Sequence, residues 1–344
     1  MKTEVIRTEN ATPDSQDIKR AARLILDGGL VIFPTETVYG LGGNALLSDA
    51  AEKIYAAKGR PSDNPLIIHI AEPNDAEKYA HVSDVYYKLA SAFMPGPLTV
   101  IMPKRECIPS SVTGGLDTVA VRCPSHPVAH ALIREAGVPI AAPSANLSGK
   151  PSPTDVKYVL EDMDGRVDMI IDGGACEIGL ESTIVALGGD GLTLLRPGAI
   201  TLDALSCVCE NINVAPAVLE KLADNERPLS PGMKYRHYAP AAEFILLDGK
   251  DSDVLNFLKN EQKKTGCAVL CYDEEISSLD AGLCIPIGRK DDLDEQAKRL
   301  FSALREADRL GAPKIYGHLP KKCGIGLALY NRMIRAAAHT VKNV

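Results

Sequence analysis

The strongest constraint on the fold is a rhythm between residues 98 and 198, where "LTVIMP", "TVAVRCP", "VPIAAPS", "VDMIIDGG", "STIVALG" and "LTLLRPG" are short apolar runs rich in β-branched residues, bounded by Pro or Gly. Runs of that length, fenced by residues that break a ladder, read as buried strands. Upstream, "PDSQDIKRAARLILDGG" sets Ile18, Ala22 and Ile25 on one helical face and stops at Gly28 and Gly29, before a strand at Leu30 to Phe33. "SDAAEKIYAAKGR", with Ser48 or Asp49 as its N-cap, predicts a second helix, and "PLIIHI" a strand after it. Many strands with few helices between them predict a twisted mixed sheet with flanking helices, not a regular βαβ repeat. This α/β domain is expected over residues 1–208.

Beyond residue 240 the pattern turns regular. Strands "EFILLD", "CAVLCYD", "LCIPIG" and "PKIYGHL" alternate with helices "DVLNFLKNEQKK", "LDEQAKRLFSALREADRLG" and "GLALYNRMIRAAAHTV", which predicts a small Rossmann-like α/β domain over 241–344. The long helix carries Leu293, Ala297, Leu300, Leu304 and Ala307 on one stripe, with Gly311 just past its end. The stretch 209–240, mixing Pro, Gly and charge, reads as a linker, though one too specific in sequence to be only a spacer. A chain of 344 residues exceeds one ordinary core, so two domains are expected.

Composition excludes several classes. A net charge of −7 argues against a protein that coats nucleic acid, because neutralising phosphates needs a clustered basic surface. "MKTEVIRTENATPDSQ" lacks the apolar core of a signal peptide, and no run approaches the roughly 20 apolar residues that span a bilayer, so no membrane contact and a cytoplasmic location are expected. The nine cysteines include no C-x-x-C pair, which points to reduced, mostly buried thiols rather than a zinc ribbon.

No P-loop motif occurs, and "GLGGNA" (Gly40 to Ala45) and "GIGLAL" (Gly324 to Leu329) match a dinucleotide fingerprint only loosely; turns and close packing account for both. "KGRPSDNPL" is more telling. It sets Lys58 and Arg60 between a helix and a strand, at the mouth of the sheet, with Pro61 and Pro65 stiffening the loop and Asn64 able to donate to phosphate oxygens. "APSANLSGKPSPT" crowds Ser144, Asn146, Ser148, Ser152 and Thr154 after a strand, and "TVAVRCP" puts Thr118 and Arg122 on another, where an arginine among apolar neighbours needs an anion. Ser182 and Arg196 stand near later strand edges. Taken singly, each basic residue is also explained by a solvated loop or an ion pair. Together with Thr37 they describe a site of cations and small donors without an obvious nucleophile. Such a site suits ATP phosphates and a carboxylate, with catalysis by positioning and charge stabilisation.

The blocks "FPTETVYGLGGNA", "KGRPSDNPL", "MPGPLT", "VAVRCPSHP", "PSANLSG", "ESTIV", "LLRPGAI" and "SPGMKYRHYAP", in that order, resemble the signature of the YrdC-like family, and the C-terminal domain resembles that of its two-domain threonylcarbamoyl-AMP synthases. The resemblance implies a catalytic pair Lys58 and Arg60, within a tetrad completed by Ser144 and Asn146. It implies ATP contacts at Arg60, Asn64, Thr118, Ser144, Asn146, Ser152, Arg196 and a linker tyrosine, Tyr235 or Tyr238. L-threonine contacts are implied at Thr37, His69, Arg122, Ala142 and Ser182. His69 is expected to pack or hydrogen-bond rather than act as a base. The implied reaction joins L-threonine, bicarbonate and ATP into threonylcarbamoyl-adenylate and pyrophosphate. Mg²⁺ would be held mainly by phosphates and water, so no metal ligands in the protein are expected. The product would pass to the machinery that modifies tRNA, with no stable nucleic-acid binding by this chain. Carbamoyl-adenylate chemistry from carbamoyl phosphate and an RNA-binding module are the competing readings; the first lacks its zinc-type cysteine pairs here, and the second has few aromatic platforms.

Overall fold

The apolar runs between 98 and 198 are all strands in the computed structural model, which describes residues 2–8, 15–62, 64–189, 191–220 and 238–344. These residues divide into two compact units, one drawn from 2–148, 152–177 and 181–220, the other from 149–151, 178–180 and 238–344.

The first unit contains, among the described residues, β1 (Glu4–Arg7), β2 (Val31–Phe33), β3 (Gly40–Asn44), β4 (Ile67–His69), β5 (Leu98–Pro103), β6 (Thr118–Arg122), β7 (Ile140–Ala141), β8 (Met169–Asp172), β9 (Thr183–Gly188), β10 (Gly191–Arg196) and β11 (Ile212–Val214). They form one mixed sheet in the order β1-β8-β2-β3-β7-β4-β6-β5-β9-β10-β11. Its helices are α1 (Gln16–Leu26), α2 (Ser48–Lys58), α3 (Asp84–Phe93), α4 (Pro127–Ala136), α5 (Val156–Met163) and the short α6 (Leu202–Ser206). The twisted mixed sheet with outer helices is therefore as expected. Helices α3, α4 and α5 interrupt strands that the sequence pattern had run together; each spans only 8 to 10 residues, too short for a sustained 3.6-residue stripe to stand out.

Ile18, Ala22 and Ile25 of α1 are buried as their spacing predicts, joining Val128, Leu132 and Ile133 of α4 and Val31, Phe33, Ile140 and Ile171 of the sheet in one core cluster. α2 differs by a residue from its sequence reading: Leu47 is the N-cap, with no side-chain hydrogen bond, and Ser48 is already helical. Gly40–Asn44 of "GLGGNA" form strand β3, where the close packing expected of it holds. A Cβ built at Gly42 would come within 2.7 Å of both Ile140 Cγ2 and Phe33 Cε1, so this position stays without a side chain to let its neighbours close over it.

The second unit is a parallel sheet of β12 (Glu243–Asp248), β13 (Ala268–Cys271), β14 (Cys284–Pro286), β15 (Lys314–His318) and β16 (Val341–Asn343), in the order β14-β13-β15-β12-β16. Its helices are α7 (Asp251–Thr265), α8 (Leu293–Leu310) and α9 (Gly326–Ala336). On α8 the residues Ala297, Leu300, Leu304 and Ala307 are fully buried, and Gly311, left-handed at φ 63°, ends the helix. The sequence motif "GIGLAL" leads into α9. Most of the expected linker lies outside the described residues. No helix among the described residues is long and apolar enough to cross a membrane.

Candidate active site

Register, more than sequence proximity, assembles the site. His69 pairs with Arg122 across β4 and β6, Arg122 with Thr99 across β6 and β5, and His69 with Ile140 across β4 and β7. Residues directly opposite in a ladder share a face, and alternate residues along a strand share it too. That puts Thr99, Thr118, Arg122, His69 and, two residues beyond Ile140, Ala142 on one face of the sheet. Ala142 donates its N–H to the Ile67 carbonyl, and Ser144 bridges to Gly40, so the chain leaving β7 stays on the sheet. Gly40 and Gly42 pave the adjacent strand without side chains.

Lys58 ends α2, and Gly59, left-handed at φ 60°, turns the chain away from it. The lysine is 3 % exposed; its ammonium donates to the Asn146 carbonyl at 2.6 Å and to the Ser144 carbonyl. Ser148 N–H returns a bond to the Lys58 carbonyl at 2.9 Å, and Ser144 Oγ donates to Asn146 Oδ1 at 2.6 Å. Lys58, Ser144 and Asn146, three members of the tetrad that the resemblance implies, are thus joined by hydrogen bonds. Arg60 stands beside it: its guanidinium lies 5.6 Å from the Tyr55 ring centroid and donates to the Asn64 carbonyl at 3.2 Å, as does the Tyr55 hydroxyl at 2.8 Å. Asn64 itself is fully buried, and neither polar atom of its carboxamide has a partner among the described residues. A buried amide left unsatisfied costs about 1–3 kcal/mol.

The other end of the site is organised around Arg122. Its Nη2 donates to Glu36 Oε1 at 2.7 Å and to Thr37 Oγ1 at 2.9 Å, and its Nε–H is buried without a partner among the described residues. Arg122 also stands against His69, whose Nδ1 is 3.3 Å from the Ile140 carbonyl and whose ring meets Phe33 edge-on at 6.2 Å. Burial, and after it the positive charge of Arg122, pushes the His69 imidazole down to about 3. A ring that stays neutral at working pH is a hydrogen-bonding group and a feeble base, in keeping with its sequence reading. Ser182 Oγ lies 2.8 Å from Thr99 Oγ1 and accepts from Arg196 Nη2 at 3.1 Å, while Arg196 Nε donates to the Ser182 carbonyl at 3.0 Å. Ser152 Oγ donates to the buried Glu181 at 2.6 Å. Thr118, half-buried, opens β6.

Of the two linker tyrosines, Tyr235 lies outside the described residues. Tyr238 belongs to the second unit, buried at a φ of 62° and stacked on Phe301 at 5.0 Å between centroids. Sequence reasoning passed over Glu36, Glu181 and Thr99. The signal available was a carboxylate set between Thr35 and Thr37, but its partner, Arg122, is far along the chain. Among the described residues no group of three or more His, Cys, Asp or Glu side chains is gathered as a metal site, and all nine cysteines are free thiols.

Residues 23–198 match the Sua5/YciO/YrdC sequence family, described as "Telomere recombination", and residues 200–338 match the family described as "Threonylcarbamoyl-AMP synthase, C-terminal domain". The chain belongs to the Sua5/YciO/YrdC family. Within it, the chain is similar to the threonylcarbamoyl-AMP synthase of Pyrococcus abyssi, with 45 % identity over 95 % of this chain and 96 % of the relative. The Bacillus subtilis threonylcarbamoyl-AMP synthase is 43 % identical over 97 % and 96 % of the two chains. The crystal structure of P. abyssi Sua5 complexed with L-threonine superposes at a TM-score of 0.90 with 42 % identity, each chain covered over 100 % of its length. This family likeness runs through both units, so the chain is one of the two-domain members.

Proposed function

We propose that this chain is a threonylcarbamoyl-AMP synthase, joining L-threonine, bicarbonate and ATP into L-threonylcarbamoyl-adenylate with release of pyrophosphate. Full-length similarity to enzymes of that name supports the reading. The observation in this molecule that carries it is a pair of buried, unspent polar groups within one unit: the Nε–H of Arg122, suited to a carboxylate, and the carboxamide of Asn64, suited to phosphate or ribose oxygens.

In the proposed reaction the threonine amine adds bicarbonate with loss of water. One oxygen of the resulting N-carboxylate then attacks the α-phosphorus of ATP, and the bond to the β-phosphate oxygen breaks, so that pyrophosphate leaves with the electron pair. Mg²⁺, for which the described residues gather no ligand group, would arrive with ATP and would supply charge neutralisation for the leaving group. Lys58 and Arg60 take the catalytic role, placed to oppose the charge that grows on pyrophosphate. Arg60, Asn64, Thr118, Ser144, Asn146, Ser152 and Arg196 bind ATP, with Tyr235 or Tyr238. Arg122 accepts the threonine carboxylate, with Thr37, His69, Ala142 and Ser182 around the amino acid. The product serves the machinery that places threonylcarbamoyl groups on tRNA. Cytoplasmic residence is part of the proposal, supported by the free thiols.

The test is pyrophosphate release from Mg·ATP with and without L-threonine and bicarbonate, with mass detection of the adenylate. Release that needs both co-substrates and yields the adenylate mass is expected. Release driven instead by carbamoyl phosphate, or none from protein that binds ATP, would overturn the reading.

A further inference from the structure

Glu36 is a buried carboxylate that the proposed chemistry leaves without a task. It sits between β2 and β3, 4 % exposed, with both oxygens engaged: Oε1 by Arg122 Nη2 at 2.7 Å and Oε2 by the Ser125 backbone N–H at 3.2 Å. The loop that carries it is fixed by its own hydroxyls. Thr35 Oγ1 donates to the Val38 carbonyl at 2.6 Å and accepts from the backbone N–H of Thr37 and of Val38, each at 3.2 Å. A hydroxyl has one proton, so in the Thr35–Thr37 contact of 2.9 Å the donor is Thr37, whose oxygen then accepts from Arg122 Nη2 at 2.9 Å. Both protons of Nη2 are therefore spent, one on Glu36 and one on Thr37. The guanidinium is pinned at that nitrogen, and the Nε–H beside it is left buried and unpaired among the described residues.

We propose that Glu36 is a positioning residue for the amino-acid carboxylate: by holding Arg122 Nη2 it fixes the guanidinium with its Nε–H presented to the incoming carboxylate, and it holds the buried cation in place before substrate arrives. The proposal rests on the reading of Arg122 as the carboxylate donor. Physically, a buried arginine without a counter-charge swings toward solvent or another acceptor, because its desolvation is uncompensated. A planar, rigid fork held at one nitrogen has few orientations left for the other donors. A purely structural ion pair would have no reason to leave a buried donor open beside it.

Steady-state pyrophosphate release by Glu36→Gln, Glu36→Asp and Arg122→Gln, with L-threonine and with L-threoninamide as the amino substrate, tests this. Glu36→Gln keeps size and an acceptor oxygen but loses the charge. It is expected to raise the KM for threonine by ~30-fold or more, leave the KM for ATP and the kcat at saturating threonine within about threefold, and leave threoninamide turnover unchanged, since no carboxylate is there to position. Glu36→Asp, which restores charge on a shorter arm, should recover part of the loss; if the glutamine variant does not fold, the aspartate variant is scored by the same contrast between threonine and its amide. A threonine KM unaltered by both Glu36 variants while Arg122→Gln raises it would overturn the role of Glu36 alone. A penalty of equal size on threonine and threoninamide would also overturn it, since that is general loosening of the site. If Arg122→Gln itself leaves the threonine KM unchanged, the reading of Arg122 falls, and this proposal with it.

Discussion

Each unit buries a hydrogen-bonded pair of a basic side chain and a carboxylate at the ends of its strands, and the two are built differently. In the first, Arg122 and Glu36 lie 2.7 Å apart with side chains about 5 % exposed, and the arginine still has a donor to give. In the second, His318 Nε2 meets Glu275 Oε1 at 2.9 Å, the imidazole stacks on Tyr272 at 4.5 Å, and Glu275 Oε2 accepts the Tyr272 backbone N–H at 3.0 Å. That pair lies within the second unit. It ties the turn after β13 to the end of β15. The first pair keeps a buried donor without a partner among the described residues, and on the proposed reading that makes it a binding element and the second a brace. Burial and charge alone would have ranked them alike.

The largest effect that sharpens the contrast is on activity. Arg122→Gln is expected to lower kcat/KM for threonine by ~100-fold or more, the usual consequence of removing a charged partner from a desolvated carboxylate. His318→Gln should leave it within about threefold. Comparable losses from the two would erase the distinction. Stability should show the reverse emphasis: Glu275→Ala leaves the buried His318 ring without its hydrogen-bond partner and should cost about 1–3 kcal/mol in urea unfolding of the second unit, with the threonine KM unchanged.

Backbone-level changes follow. Gly42→Ala places its methyl against Ile140 and Phe33 under the candidate site and should cost about 1–3 kcal/mol from overpacking. Gly311→Ala, at a positive φ but with open space around the new methyl, should cost about 1 kcal/mol from backbone strain alone. Equal costs would mean that the close approach over β3 is not a constraint.

The smallest effect at neutral pH concerns His69. Its folded-state imidazole is held at about 3 against an ordinary 6.5, so between those values the unfolded chain binds a proton that the folded chain does not. The stability associated with its neutral burial is full above 6.5 and is lost as pH falls toward 3. His69→Asn should flatten that part of the stability profile between pH 6.5 and 4, measured as the difference from the parent chain. An identical slope would show that the ring is not buried neutral.

The sequence made local features legible. The strands between 98 and 198 and the α8 stripe follow from periodicity and from the residues that break it, and Lys58, Arg60, Ser144 and Asn146 were visible because two short blocks carry them. What escaped depends on register. Glu36 and Arg122 are 86 positions apart, and nothing in either block says that β2, β3 and β6 bring them together. For Gly42 the sequence offered turns and close packing together, because glycine signals a turn and a crowded strand in the same letter.

The most direct test of the central claim is calorimetric binding of L-threonine and L-threoninamide to the intact chain and to Arg122→Gln. The account predicts that the parent chain binds threonine at least ~30-fold more tightly than the amide, and that the variant binds both equally weakly. An Arg122→Gln protein that still prefers threonine by the parental margin would contradict it, because the unspent donor would then not be what receives the carboxylate.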